Sequence, residues 1–310
     1  MQHMKDRIFK KIKEELPGVQ KNVLLKDYTT FKIGGPAKYF FVVKTKEDLL
    51  TAVKIAKKLK LPVFILGAGS NLLVSDKGFN GLVIKIQISD CNIKDGKIFV
   101  SAGMALSKLS SFAAENGFKG FEWSSGIPGA TVGGAVFGNA QAFGEKISDS
   151  IETIETLNTK TLKIKSLTKK QCQFSLKNSI FKKNKNLIII SAVFSLEKGD
   201  KEKIQKKVKE FMNYRKRSHP MNFPSAGSIF INPENADSKE LIRAGVLIEQ
   251  CGLKGKKIGK AQISEQHANF IVNLGGAKAK DVLALIKLAQ KKVKKKFGVL
   301  LEMEVQFVGF

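Results

Sequence analysis

The sequence predicts an α+β protein in two regions, on three observations. Helices with apolar stripes are interspersed with short β-rich stretches. A lysine-rich helix over residues 201–217 leads into a segment of different composition, which puts a boundary near its start. At 310 residues the chain is long enough for two domains, or for one large domain with a satellite.

The opening MQHMKDRIFKKIKEELPG reads as a charged amphipathic helix without the apolar core of a signal peptide. In YTTFKIGGPAKYFFVVKT, residues 28–45, a Gly34-Gly35-Pro36 turn separates two β-rich stretches. Thr45 caps the next helix, with Asp48 in the place a capping box usually gives to Glu. Leu49, Val53, Ala56 and Leu59 form its apolar face, and Pro62 ends it. A strand from Val63 to Leu66 then runs into Gly67-Ala68-Gly69-Ser70-Asn71 and the β-rich LLVSD.

Strands near Leu82 to Ile86 and Ile98 to Ser101 precede a helix from Ala105 to Asn116, which buries Leu106, Leu109, Phe112 and Ala113. The glycine-rich stretch 126–144 follows. Ile151 to Leu157 and Thr161 to Ile164 alternate as a hairpin, and Leu187 to Leu196 is an apolar strand of the buried type. After the lysine-rich helix, HPMNFPSAGSIFINP reads as a loop with ordered turns, and Leu241, Ile242 and Val246 mark a short helix. Ile258 to Ile263 and Asn269 to Val272 are strands. A helix from Lys280 to Phe297 stops at Gly298. The closing LLEMEVQFV alternates, with Leu301, Met303, Val305 and Phe307 on one face and Glu302, Glu304 and Gln306 on the other.

The totals exclude several classes. No run of about eighteen apolar residues occurs, so no transmembrane helix and no membrane role is expected. Cys91, Cys172 and Cys251 form no CxxC, and only three histidines are present, which argues against a metal site and for a reducing, cytoplasmic setting. The net charge of +27 invites a nucleic-acid reading. Its distribution argues otherwise, because only Arg7, Arg215, Arg217 and Arg243 are arginines and the lysines are spread over solvated helix faces. A positive field that draws in anionic small molecules remains.

Two glycine motifs point to chemistry. GAGSN lacks the third glycine of a dinucleotide fingerprint, since Leu72 stands in its place, and no helix follows it. Strand, turn and strand can still offer successive amides to a phosphate, with a plain β-turn as the alternative. The second motif, GIPGATVGGAVFGNAQAFG, has six glycines in nineteen residues, and no lysine or arginine occurs between Lys119 and Lys146. That segment is pressed against something, and if it meets a phosphate the donors are backbone amides; the alternative is a glycine-rich packing loop.

YTTFKIGG (28–35), LGAGSNLLV (66–74), SSGIPGATVGGAVFGNA (124–140), PSAGSIF (224–230), KIGKAQISEQHANFIVN (257–273) and KKFGVLLEMEV (295–305) together resemble the UDP-N-acetylenolpyruvoylglucosamine reductase family. The match runs in order over almost the whole chain. The short connection from Phe181 to Leu187 is similar to the class without an extra substrate-covering loop. The resemblance implies a FAD-binding fold of the vanillyl-alcohol-oxidase type over residues 1–200, in subdomains of about 20–95 and 96–200. A substrate-binding α+β domain over 201–310 would return Glu304 to the active site. It implies non-covalent FAD, NADPH as electron donor, a UDP-sugar substrate in peptidoglycan precursor synthesis, and a monomer.

On this resemblance Gly67, Ala68, Gly69, Ser70, Asn71 and Leu72 would hold FAD, with Gly126, Ile127, Pro128, Gly129, Thr131, Val132, Gly133, Gly134 and Asn139. Ser228 matches the family's proton donor and Glu304 its carboxylate, with Glu302 expected to be a solvated neighbour. Lys177, in FSLKNSIF, stands where the family has an arginine, which keeps the charge but loses the bidentate fork. Tyr214, Arg217 and Asn232 fall where the UDP-sugar is handled, Arg217 as the phosphate candidate. His267 reads as a buried structural histidine, with a functional role as the alternative. Rival readings are another flavin enzyme of the same fold and a basic nucleic-acid-binding protein. Covalent FAD attachment through histidine is disfavoured, because none lies between His3 and His219.

Overall fold

A computed structural model describes residues 2–234 and 241–310, with backbone only for residues 2–6. The chain divides into two compact units that interleave along the sequence. The first comprises residues 1–23, 37–68 and 80–214, and the second residues 24–36, 69–79 and 215–310.

The first unit is built on two sheets. In one, Gln20–Leu24, Pro36–Val43, Phe79–Ile86 and Val63–Leu66 are neighbours in that order. Its last pair is parallel, with Leu66 opposite Lys85. The crossover from Pro36–Val43 carries the helix Lys46–Lys58, and Thr45 and Asp48 close the capping box the sequence predicts. The second sheet is antiparallel, ordered Ile164–Thr168, Ile151–Asn158, Leu187–Ser195, Lys97–Ser101 and Cys91–Lys94. Leu187–Ser195 lies at its centre, which accounts for its almost unbroken apolar run.

The second unit has its own core, in which Ala226, Ile229 and Ile271 pack with Val282, Ile286 and Val293 of the helix Ala279–Phe297. Its sheet orders Ser225–Ser228, Phe270–Asn273, Ala261–Ile263 and Lys257–Ile258, all antiparallel. Gly298 ends the long helix at φ 71°, in the left-handed conformation that glycine tolerates best.

Several expectations need correction. The second hairpin strand is Ile164–Thr168 rather than Thr161 to Ile164, and Ile258 to Ile263 is two paired strands, Lys257–Ile258 and Ala261–Ile263. Residues 29–35 form no strand; Phe31 and Ile33 are buried plugs in the second core, and the Thr29 hydroxyl donates to the Ile33 carbonyl at 3.2 Å. The glycine-rich segment is not all loop, since Val132–Gly138 is a helix whose N-terminus Thr131 caps by accepting from the Gly134 amide. Ser225–Ser228 is a strand rather than a loop, with a register shift opposite Phe270–Asn273 that Gly227 absorbs at φ 76°. The short helix starts at Ala244, beyond Leu241 and Ile242. In the closing segment only Gln306–Val308 is a strand, pairing in parallel with Leu72–Val74. Phe307 is exposed there while Val305 and Val308 are buried, so the alternation slips by one residue.

Candidate active site

The GAGSN turn leaves the strand Val63–Leu66 against Thr131 of the second glycine motif. A Cβ on Gly67 would lie 2.6 Å from the Thr131 hydroxyl, so glycine there lets the turn meet the start of the second glycine motif. Gly133 is similarly tight, with Ala102 Cβ 2.9 Å from where its own would be, and Gly126 backs onto the Phe143 ring. At Gly69 φ is 70° and a Cβ would stand 2.2 Å from the Tyr28 carbonyl. Part of the glycine signal thus reports close approach within the protein.

What remains fits an anionic dinucleotide. The amides of Ala68, Gly69, Ser70 and Asn71 donate to no acceptor among the described residues, leaving four neighbouring N–H groups for a pyrophosphate. Pro128, Gly129 and Gly134 are exposed on a segment without basic residues, whereas Ile127 is half-buried and Val132 buried. Asn139 is buried in a left-handed conformation at φ 44°. Its amide donates to the Ser175 carbonyl at 2.9 Å, and its buried Oδ1 has no partner. An orphaned buried acceptor of that kind suits a donor edge such as that of a flavin. Leu72, by contrast, is a buried strand residue.

In the second unit the backbone links Ser228, Glu304 and Asn71. Ser228 pairs with Phe270 in the sheet, and its hydroxyl makes no hydrogen bond among the described residues, so it caps no turn. The Glu304 amide donates to the Ile229 carbonyl at 2.8 Å, next to Ser228. The Asn71 side-chain amide reaches the Glu304 carbonyl at 3.1 Å, and the Gln306 amide donates to the Asn71 carbonyl at 3.0 Å. Buried Asn269 braces the other side, bonding both the amide and the carbonyl of Phe230. Glu304 is half-buried and Glu302 exposed.

A half-buried cation faces Glu304 here, and it is Arg215. Burial lowers the Arg215 pKa to about 10, against the raising effect of the Glu304 carboxylate, and its Nε is buried without a hydrogen-bond partner. Its guanidinium lies over the Phe270 ring at 5.6 Å. His219 and His267 stack with ring centroids 5.1 Å apart. Burial, then the charge of Arg215, holds both below the usual histidine range, His219 at about 3. His267 also accepts from the Asn269 amide. The sequence carried a signal for Arg215, because Ile204, Val208, Phe211 and Arg215 fall on one helical stripe and are the less exposed residues of it. Arg217 lies off that stripe and is exposed.

The remaining candidates sit apart in character. Tyr214 is half exposed and makes an edge contact with Phe143, which stacks on Phe211 at 4.1 Å. The exposed Asn232 accepts from the Ala244 amide at 3.0 Å and so holds the start of a helix. Lys177 lies in a tight turn closed by Ser175 and Asn178, at φ 50°. Its side chain is half-buried, and Lys182 donates to its carbonyl. No helix among the described residues is long and apolar enough to cross a membrane.

Residues 37–161 match a family model described as a FAD binding domain, and residues 219–308 match one described as UDP-N-acetylenolpyruvoylglucosamine reductase, C-terminal domain. The chain is similar to the UDP-N-acetylenolpyruvoylglucosamine reductase of Caldicellulosiruptor bescii, 45% identical over 92% of this chain and 89% of that protein. The counterpart from Caldanaerobacter subterraneus is 42% identical over 93% of each. Among solved structures, the Thermus caldophilus UDP-N-acetylenolpyruvylglucosamine reductase superposes with a TM-score of 0.77 at 35% identity, covering 94% of this chain and 98% of that one.

Proposed function

We infer the activity from one premise: the chain belongs to the UDP-N-acetylenolpyruvoylglucosamine reductase family. It reduces the enolpyruvyl group of UDP-N-acetylglucosamine-enolpyruvate to give UDP-N-acetylmuramate, a step in peptidoglycan precursor synthesis. The chemistry that bound FAD supplies is the relay of hydride from NADPH to the enolpyruvyl double bond. We assign the flavin to the region 1–200 and the sugar nucleotide to 201–310. The observation that carries the reading is the pairing of free amides at Ala68 to Asn71 with a backbone link from Asn71 to Glu304 and Ser228.

Each residue then has a task. The unshared amides of the GAGSN turn and the exposed glycines of 126–134 bind the dinucleotide, and the Asn139 Oδ1 accepts from it. Ser228 delivers the proton to the carbon next to the one that takes the hydride, so that one hydride and one proton saturate the double bond. A serine hydroxyl is a weak acid, so the pocket stabilises its alkoxide or relays it a proton. Glu304 steadies the enol-like substrate intermediate, with the cation of Arg215 facing it. Lys177 meets the substrate carboxylate with a single charged donor in place of a fork. Tyr214, Arg217 and Asn232 contact the UDP-sugar. The three free cysteines fit a reducing cytoplasm, and the enzyme works as a monomer.

The test is an absorption spectrum followed through both half-reactions. The purified protein shows a flavin spectrum that bleaches anaerobically with NADPH and returns on adding the enolpyruvyl sugar nucleotide. In Ser228→Ala, bleaching stays near the parent rate while the return slows by about 100-fold or more. A colourless protein that FAD does not reconstitute refutes the activity, and equal slowing of both phases refutes the role of Ser228.

A further inference from the structure

We propose that Lys85 is the cation that meets the pyrophosphate of the bound dinucleotide. The proposal rests on the placement of that pyrophosphate at the GAGSN turn, as given above. Three observations carry it. Parallel pairing sets Lys85 opposite Leu66, the last residue before the turn, so its side chain starts where the strand gives way to free amides. Its ammonium donates to the Gly67 carbonyl, and this is its one hydrogen bond among the described residues. Gly67 is in turn the residue pressed against the Thr131 hydroxyl, where the two glycine motifs meet.

The setting is unusual for a lysine of this chain. Lys46 and Lys97 pair with Glu155 and Glu152 near the surface. Lys85 is half-buried and has no carboxylate within ion-pair distance among the described residues. Burial lowers its pKa, and a neutral carbonyl offers little compensation for a partly desolvated ammonium. An arriving pyrophosphate would supply the missing anion. The glycine motifs need such a partner, because no basic residue occurs between Lys119 and Lys146 and amides alone carry only partial charge. Lys85 provides a full charge from a rigid strand outside either motif.

Flavin binding to the apoprotein separates the possibilities. FAD and riboflavin, which lacks phosphate, are titrated against the parent, Lys85→Met and Lys85→Gln, with flavin fluorescence as readout. Lys85→Gln keeps a donor for Gly67 and serves if the methionine variant does not fold. Loss of the cation should weaken FAD by about 10- to 100-fold, leave riboflavin unchanged, and flatten the salt dependence of FAD binding. Lys85→Arg should retain most of the affinity. Parent-like FAD affinity in the neutral variants overturns the proposal. Equal weakening of both flavins does so too, because it makes Lys85 a support for the turn. A parent that prefers FAD no more than riboflavin overturns the placement of the pyrophosphate itself.

Discussion

At the scale of single residues, the second unit concentrates its chemistry around Arg215. Two histidines share its surroundings and pay for that in proton affinity: His219 is held at about 3 by burial first, then by Arg215 and His267. Its folded value lies below the ordinary 6.5, so the unfolded chain binds the proton first as pH falls. His219 therefore contributes stability above about pH 6.5 that is lost progressively as pH drops toward 3. Urea midpoints measured between about pH 7 and 4 should fall with acid. His219→Gln should flatten that slope, and parallel profiles for the two proteins would show that His219 is not buried neutral. Sequence reading picked out Ser228, Glu304 and Arg217 through motifs and passed over Arg215. Motif order does not show which way a helical residue faces, and for Arg215 that depends on the stripe it shares with Ile204, Val208 and Phe211.

At the scale of elements, glycines divide by what surrounds them. Gly69 and Gly298 have nearly the same φ, 70° and 71°, but a Cβ at Gly69 meets the Tyr28 carbonyl while one at Gly298 meets open space. Gly298→Ala should therefore cost about 1 kcal/mol, the strain of a left-handed alanine. Gly69→Ala should cost more than about 3 kcal/mol, since backbone has to move as well. Equal shifts of the two unfolding midpoints would contradict this. Most helices and strands were legible because their apolar periods were clean. The helix Val132–Gly138 was not, as two glycines follow its first residue and weaken the propensity signal, although Thr131 is a good cap. Ser225–Ser228 has the composition of a turn, and only its partner Phe270–Asn273 makes it a strand.

At the scale of the whole molecule, the net charge of +27 acts on two anionic substrates. Raising ionic strength from about 50 to 500 mM should lower kcat/KM for the UDP-sugar several-fold with kcat nearly unchanged. A flat profile would show that the lysines do not steer it. The ordered set of motifs made the family legible over nearly the full length. The interleaving of units was hidden, because it depends on which core residues such as Phe31 and Leu73 join, and an apolar residue does not announce its partner.

That interleaving bears on how the molecule is made. Leu72–Val74 leaves the ribosome long before its parallel partner Gln306–Val308. The second unit cannot complete its core until its last segment is made, and residues 24–36 and 69–79 must wait while residues 80–214 of the first unit are translated. The first unit can close its sheets in the meantime. The length of this delay makes the late, long-range closure the step most exposed to aggregation, and the step that a chaperone or an early-bound ligand would protect.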